Sequence, residues 1–235
     1  MSLLTSLISY WKLDEENGVR NDAHGSNNLT DNNTVLFGTG KIENAADFES
    51  DNTEYLSHVD NAGLSVGDID FTFAAWVNLE SLSDRAIITK TATVGNTDTE
   101  YAIYYSNSSS RFRFQVSNGA GTGVTLVGTS SGAISTSTWY YVIAWHDAAA
   151  NEVYIQVNNG TVDSASYSAG SFDGSNSFNI SSYNNGTGWL FDGLIDEVGF
   201  WKRILTSQER SNLYNSGNGL AYPFSVAFIP RVSQF

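Results

Sequence analysis

Hydrophobic positions along this chain fall into short runs rich in β-branched and aromatic residues, with clusters of Gly, Asn, Ser and Asp between them. The strongest runs are residues 7–13 (LISYWKL), 71–77 (FTFAAWV), 86–90 (AIITK), 101–105 (YAIYY), 111–116 (RFRFQV), 124–127 (VTLV), 139–146 (WYYVIAWH), 152–157 (EVYIQV) and 194–201 (LIDEVGFW). Runs of this length bounded by turn residues predict strands, and their density predicts a sandwich or barrel instead of alternating βα units. Ser117-Asn118-Gly119, Asn158-Asn159-Gly160 and Asn184-Asn185-Gly186 supply residues that tolerate positive φ at the turns.

Successive side chains of a strand point to opposite faces of its sheet, so alternation shows which positions are covered. In RFRFQV the pattern sends Phe112, Phe114 and Val116 inward and Arg111, Arg113 and Gln115 outward. In EVYIQV it sends Val153, Ile155 and Val157 inward and Tyr154 and Gln156 outward. FTFAAWV and WYYVIAWH are apolar at both parities, which predicts central strands covered on both faces. One helix is signalled: Thr206-Ser207-Gln208-Glu209 reads as a capping box, and Gly217 as a terminator about three turns later. Nothing between residues 7 and 222 marks a linker or a repeat, so one domain is expected over residues 1–222. Residues 223–235 are then a tail or an arm, and the Val, Phe and Ile content of SVAFIPRVSQF makes a homo-oligomer contact one expectation for it.

Composition narrows the function classes. The 235 residues include no Cys, which removes disulfides, thiolate zinc sites and Cys nucleophiles together. Lys plus Arg number 11 against 25 Asp plus Glu, a net charge of −14 that repels phosphate backbones and anionic headgroups, so neither nucleic acid nor membrane insertion is expected. The excess is local: residues 1–70 hold 13 acids against Lys12, Arg20 and Lys41, and no base lies between Arg113 and Lys202. Residues 1–13 lack the basic start, apolar stretch and small-residue cleavage site of an export signal.

In their order, these segments resemble the laminin G-like branch of the concanavalin A-like lectin/glucanase superfamily, relatives of the pentraxins. The resemblance runs from about residue 7 to residue 222: an opening strand with an acidic Gly-rich loop (YWKLDEENGVRNDAHGSNNLT), then GKIENAADFESDNTEYLS, FTFAAWV, WYYVIAWHD and EVYIQVNNG. It closes on FDGLIDEVGFWKRILTSQERSNLY, its most specific part. The resemblance implies an all-β fold, a two-sheet antiparallel jelly roll. It also implies a structural calcium ion where the first loop meets the closing strand, with Asp22 and Asp196 as side-chain ligands and Gly25 and Asn27 as carbonyl donors. Such hard oxygens suit calcium. The residues themselves leave a second reading open, in which Asp22 makes an Asx-turn and Asp196 accepts backbone amides at a strand end.

Some superfamily members resembling laminarinases carry E-x-D-x-x-E on a strand, where the carboxylates act as nucleophile and acid/base. Glu49, Asp51 and Glu54 match that spacing, but polar Ser50, Asn52 and Thr53 place the match in a loop, and no enzyme is expected. The histidines His24, His58 and His146 share no metal or triad spacing. A carbohydrate-binding face is the sharper hypothesis: Tyr104, Arg113, Tyr154 and Gln156 on one outer face, with Tyr183 and Trp189 in a Gly-rich loop. The same residue types also fill subunit interfaces, so partners of either kind, glycan or protein, stay open. The expected function is a non-catalytic adhesion or structural module of a virion, a phage capsid decoration or tail protein. A free lectin is the alternative, and a glycoside hydrolase a more distant one.

Overall fold

The computed structural model describes residues 2–92 and 98–224; of the expected C-terminal arm, residues 223–235, all but Pro223 and Phe224 lie outside them. Along the chain the strands are β1 (Leu7–Trp11), β2 (Thr30–Asn32), β3 (Leu36–Thr39), β4 (Asn44–Phe48), β5 (Tyr55–His58), β6 (Phe71–Leu79), β7 (Arg85–Thr91), β8 (Thr99–Ser106), β9 (Arg111–Ser117), β10 (Gly123–Val127), β11 (Trp139–Asp147), β12 (Glu152–Val157), β13 (Asp163–Ser166), β14 (Phe178–Ile180) and β15 (Gly193–Trp201), followed by helix α1 (Ser207–Tyr214). They form two antiparallel sheets. One runs β13-β12-β11-β6-β15-β4-β3, with β1 also on β15, and the other runs β10-β9-β8-β7-β14-β5-β2.

The alternation read from the sequence fills the space between the sheets. Phe112, Phe114 and Val116 meet Val153, Ile155, Phe71, Phe73 and Val77 there. The strands apolar at both parities are the central ones, and they are covered twice. Ala74 and Trp76 of β6, and Tyr141, Ile143 and Trp145 of β11, point away from that space into a second core, closed by Leu3, Leu7, Leu205 and Leu213. Tyr214, Leu220, Tyr222 and Phe224 pack against this second core, so the chain's first and last described segments roof the outer face of the eight-stranded sheet. Phe224 sits edge-on to Tyr10 at 5.0 Å.

The capping box forms as expected: the Glu209 amide donates to the Thr206 hydroxyl at 3.2 Å, and the Thr206 amide donates to the Glu209 carboxylate at 2.9 Å. The helix is shorter than three turns, because Asn215 takes the left-handed position (φ 48°) that ends it, ahead of Gly217.

Strand β15 joins three neighbours. One side pairs with β6 over Gly193–Asp196 and Gly199–Trp201; the other pairs with β4 over Gly193–Ile195 and with β1 over Val198–Trp201. Asp196 and Glu197 occupy the changeover, where the register shifts and Glu197 has φ 52°. The bulge re-aims both carboxylates at the junction between two partner strands.

Candidate functional site

The six aromatic and polar residues singled out in the sequence divide between the two sheets. Tyr104 and Arg113 face each other across the β8–β9 pair of the seven-stranded sheet, whereas Tyr154 and Gln156 stand on β12 of the eight-stranded one. They therefore do not share one outer face. Alternation fixes the side of a strand's own sheet, and the pairing of distant strands decides which sheet that is.

The β12 pair is occupied by the protein itself. Tyr154 stacks on Trp145 at 4.9 Å with the rings 8° from parallel, and the Arg210 guanidinium covers Trp145 at 4.3 Å. Arg210 Nε donates to Gln156 Oε1 at 2.9 Å, and Gln156 Nε2 donates to the Gly160 carbonyl at 2.7 Å. Both functional ends of the Gln156 amide are thus spent inside the molecule.

The other four residues come together on the seven-stranded sheet. Tyr183 and Trp189 belong to the loop joining β14 to β15, folded back through a Tyr183–Gly188 bridge and tied to β7 by the Ala86 amide donating to the Trp189 carbonyl at 2.6 Å. Asn184, Asn185 and Gly186 supply the left-handed residues of this turn. Gly186 is required twice over: its φ is 87°, and a Cβ there would lie 2.5 Å from the Tyr55 ring. The Trp189 ring rests 5.0 Å from Tyr104 and 4.8 Å from Tyr183, with Ala86 and Ala102 below. Tyr104 is 3% and Tyr183 1% exposed, while Trp189 is only half-buried. Trp189 thus caps a small aromatic stack and turns part of its ring to solvent.

Trp189 also carries φ 51°, a region that costs a bulky L-residue roughly 1–2 kcal/mol. Strain of this kind persists where surrounding structure over-determines it, and it concentrates at functional sites. Burial pushes the Tyr104 phenol up from its ordinary value, with the Arg113 guanidinium pulling it back, and burial holds Tyr183 well above. Both phenols therefore stay protonated near neutrality. Ser108 and Ser109 complete the site by bonding Arg113, and sequence reasoning misses them because a Ser-rich turn has no periodicity to mark them.

The four residues the resemblance implies for calcium are drawn into two hydrogen-bonded hubs. Asp22 Oδ1 accepts the amides of Tyr10, His24 and Gly25 at 2.8–3.0 Å, and its Oδ2 accepts that of Asn27 at 3.0 Å. The Asn27 carbonyl accepts the Trp11 indole at 2.7 Å. Asp22 Oδ1, accepting three N–H groups, is saturated, whereas Oδ2, accepting one, keeps a lone pair. Asp196 belongs to a different hub: its Oδ2 accepts the Lys41 and Ile42 amides at 2.7 and 2.9 Å, while its buried Oδ1 has no partner. Burial pushes Asp196 up to about 8 and the adjacent Glu197, which accepts the Tyr10 hydroxyl, up to about 7. Among the described residues no group of three or more His, Cys, Asp or Glu is placed to hold a metal.

Glu49, Asp51 and Glu54 lie on and around a 3₁₀ turn between β4 and β5, not on a strand. Glu54 is buried and accepts the Glu49 amide at 2.8 Å, so it caps the turn instead of standing beside Glu49 across a cleft. The Gly-rich segment after Ser117 is the β9–β10 hairpin, as its turn residues imply.

A family model described as the concanavalin A-like lectin/glucanases superfamily matches residues 50–209, and the chain belongs to that superfamily. No curated protein matches the sequence. Among solved structures, the chain is similar to the binding domain of Paraclostridial Mosquitocidal Protein 1, with a TM-score of 0.73 and 15% identity over 92% of this chain and 53% of that one. It is similar to domain 4 of AbnA, a GH43 extracellular arabinanase from Geobacillus stearothermophilus, in complex with arabinotriose, with a TM-score of 0.64 and 17% identity over 91% of this chain and 98% of that one. It is also similar to the botulinum neurotoxin serotype D ligand binding domain in complex with N-acetylneuraminic acid, with a TM-score of 0.68 and 12% identity over 90% of this chain and 51% of that one. The chain thus spans about half the length of the toxin binding domains it matches. Identities this low speak for the fold, a two-sheet jelly roll.

Proposed function

We propose that this member of the concanavalin A-like lectin/glucanases superfamily is a non-catalytic module that binds carbohydrate on the outer face of its seven-stranded sheet. The observation that carries the reading is Trp189: a half-buried indole in a strained left-handed conformation, fixed by Tyr104 and Tyr183 beneath it and left open above. A rigid aromatic plane suits the C–H face of a pyranose, and a few fixed polar groups around it suit the hydroxyls. The likeness in fold to an arabinanase domain in complex with arabinotriose supports the choice of ligand class. The non-catalytic part of the reading is supported by Glu54, whose carboxylate is committed to the turn that holds it.

Glycan-array binding followed by calorimetry tests the proposal. Saturable binding to at least one saccharide is expected, weakened about tenfold or more in Trp189→Ala with the thermal melt retained. Absence of any saccharide ligand would overturn it, as would a Trp189→Ala variant that binds sugar unchanged and alters only the oligomeric state. The virion setting expected from the sequence stays a separate proposal, tested by mass spectrometry of purified particles, and sugar binding does not depend on it.

A further inference from the structure

Next to β8, whose Tyr104 supports Trp189, strand β9 presents Arg111 and Arg113, two positions apart and therefore on one face. In a chain with 25 acids and 11 bases, neither arginine makes an ion pair among the described residues. Asp84, the carboxylate whose charge acts on Tyr104, instead accepts the Asn107 amide at 2.8 Å. Arg113 is nonetheless held in place. Its Nε donates to the Ser109 hydroxyl at 3.3 Å and its Nη2 to the Ser108 hydroxyl at 3.2 Å, and it stands directly across from Tyr104 in the β8–β9 pairing. Arg111 is tethered through Nη1 to the Ser110 carbonyl at 3.0 Å, with a buried Nε that has no partner. Hydroxyls orient a guanidinium without neutralising it. The result is a half-buried cation across from Tyr104, whose other neighbour is the Trp189 ring, and open to an anion from solvent.

From this juxtaposition we infer that the carbohydrate this face takes is acidic, a sugar whose carboxylate meets Arg113 while its ring lies against Trp189. The inference rests on the carbohydrate reading of the same face. A planar guanidinium matches a carboxylate in a way that neutral hydroxyls do not, and hydrogen bonds to charged groups are about twice as strong as neutral ones. With the rest of the surface strongly anionic, an acidic saccharide is repelled everywhere except where such a cation is uncovered, which gives selectivity as well as affinity.

The test uses the whole chain on an array of uronic-acid and sialic-acid glycans, each printed beside its methyl ester, which keeps the skeleton and removes the charge. At least one acid is expected to bind about tenfold or more above its ester, with the preference falling as sodium chloride is raised. In Arg113→Gln the acid-to-ester ratio is expected to drop to about one, and in Arg113→Lys, which keeps the charge but not the planar fork, to an intermediate value. Thermal melts of both variants check that the fold is kept. Esters bound as well as acids throughout, or a ratio unchanged in Arg113→Gln, would overturn the acidic specificity and leave the carbohydrate reading standing. Binding to no saccharide of either kind would remove both.

Discussion

The two outer faces of this sandwich are written in the same residue alphabet and end in opposite states. On the eight-stranded sheet, Trp76, Tyr141, Trp145, Trp201 and Tyr154 are roofed by α1 and by residues from both ends of the described chain. On the seven-stranded sheet, Tyr104, Tyr183 and Trp189 gather with no helix above them, and Arg113 beside them has no carboxylate among the described residues. Each face even has its arginine beside an aromatic residue, Arg210 over Trp145 and Arg113 across from Tyr104. Arg210 is spent on Trp145 and Gln156, whereas Arg113 is held by two serines and kept available. Aromatic and guanidinium content thus marks a surface that something will cover, and only tertiary structure shows whether the cover is the chain itself.

The contrast can be broken in several ways. The largest effect is expected from Trp201→Ala on the roofed face. The ring is fully buried and its indole donates to the Leu3 carbonyl at 2.7 Å, so unfolding in urea should register a loss of about 3–5 kcal/mol. Trp189→Ala on the open face should cost only about 1 kcal/mol, since the indole is half-buried; the left-handed strain is not relieved, because Ala keeps a Cβ. Comparable losses for the two would mean that the faces differ less than their burial suggests.

A pH series probes the buried carboxylates at the edge of the roofed face. Asp196 and Glu197 are pushed up to about 8 and about 7 by burial, from unfolded values near 4. Between those limits the folded state holds protons that the unfolded state has released. Stability is therefore greatest toward pH 4 and declines as pH rises through 7 and 8. Thermal melts should shift downward from pH 5 to pH 9, and Asp196→Asn should flatten that slope; a melt that rises over this range would show that the carboxylates are ionised and solvated.

A smaller effect is expected from Tyr154→Ala, which removes one stacked pair worth about 0.5–1.5 kcal/mol and leaves saccharide binding unaltered. Loss of binding in that variant would relocate the ligand to the roofed side. The smallest effect is expected from chelation: with Asp22 and Asn27 engaged by N–H donors, excess EDTA should leave the melting temperature where it was. A fall of several degrees, reversed by calcium, would place an ion on the unpartnered oxygen of Asp196.

What is legible in the sequence is what is local. Inward positions of β9 and β12, the two-sided burial of β6 and β11, and the capping box at Thr206 follow from periodicity and from contacts within a few residues. Strands β2, β3, β13 and β14 are three or four residues long, held by backbone pairing that leaves little side-chain pattern. The candidate site is half legible for the same reason. Tyr104 and Arg113 declare their outward parity, but their meeting with Trp189 depends on a loop from far along the chain folding across β7. Asp196 stands out in the sequence as a junction residue. The bulge that separates its hub from that of Asp22 leaves no mark in the string LIDEVGFW.

The roof over the eight-stranded sheet also fixes how the domain would be displayed. Leu3 and Phe224, near the two extremities of the described chain, rest on the same side, and Trp189 and Arg113 look out from the other. A tether leaving beside Leu3 or Phe224 would therefore start from the back of the module, away from its front. Coupling through Arg113 or its neighbours would bury the proposed saccharide face, which an attachment beside Leu3 would leave outward.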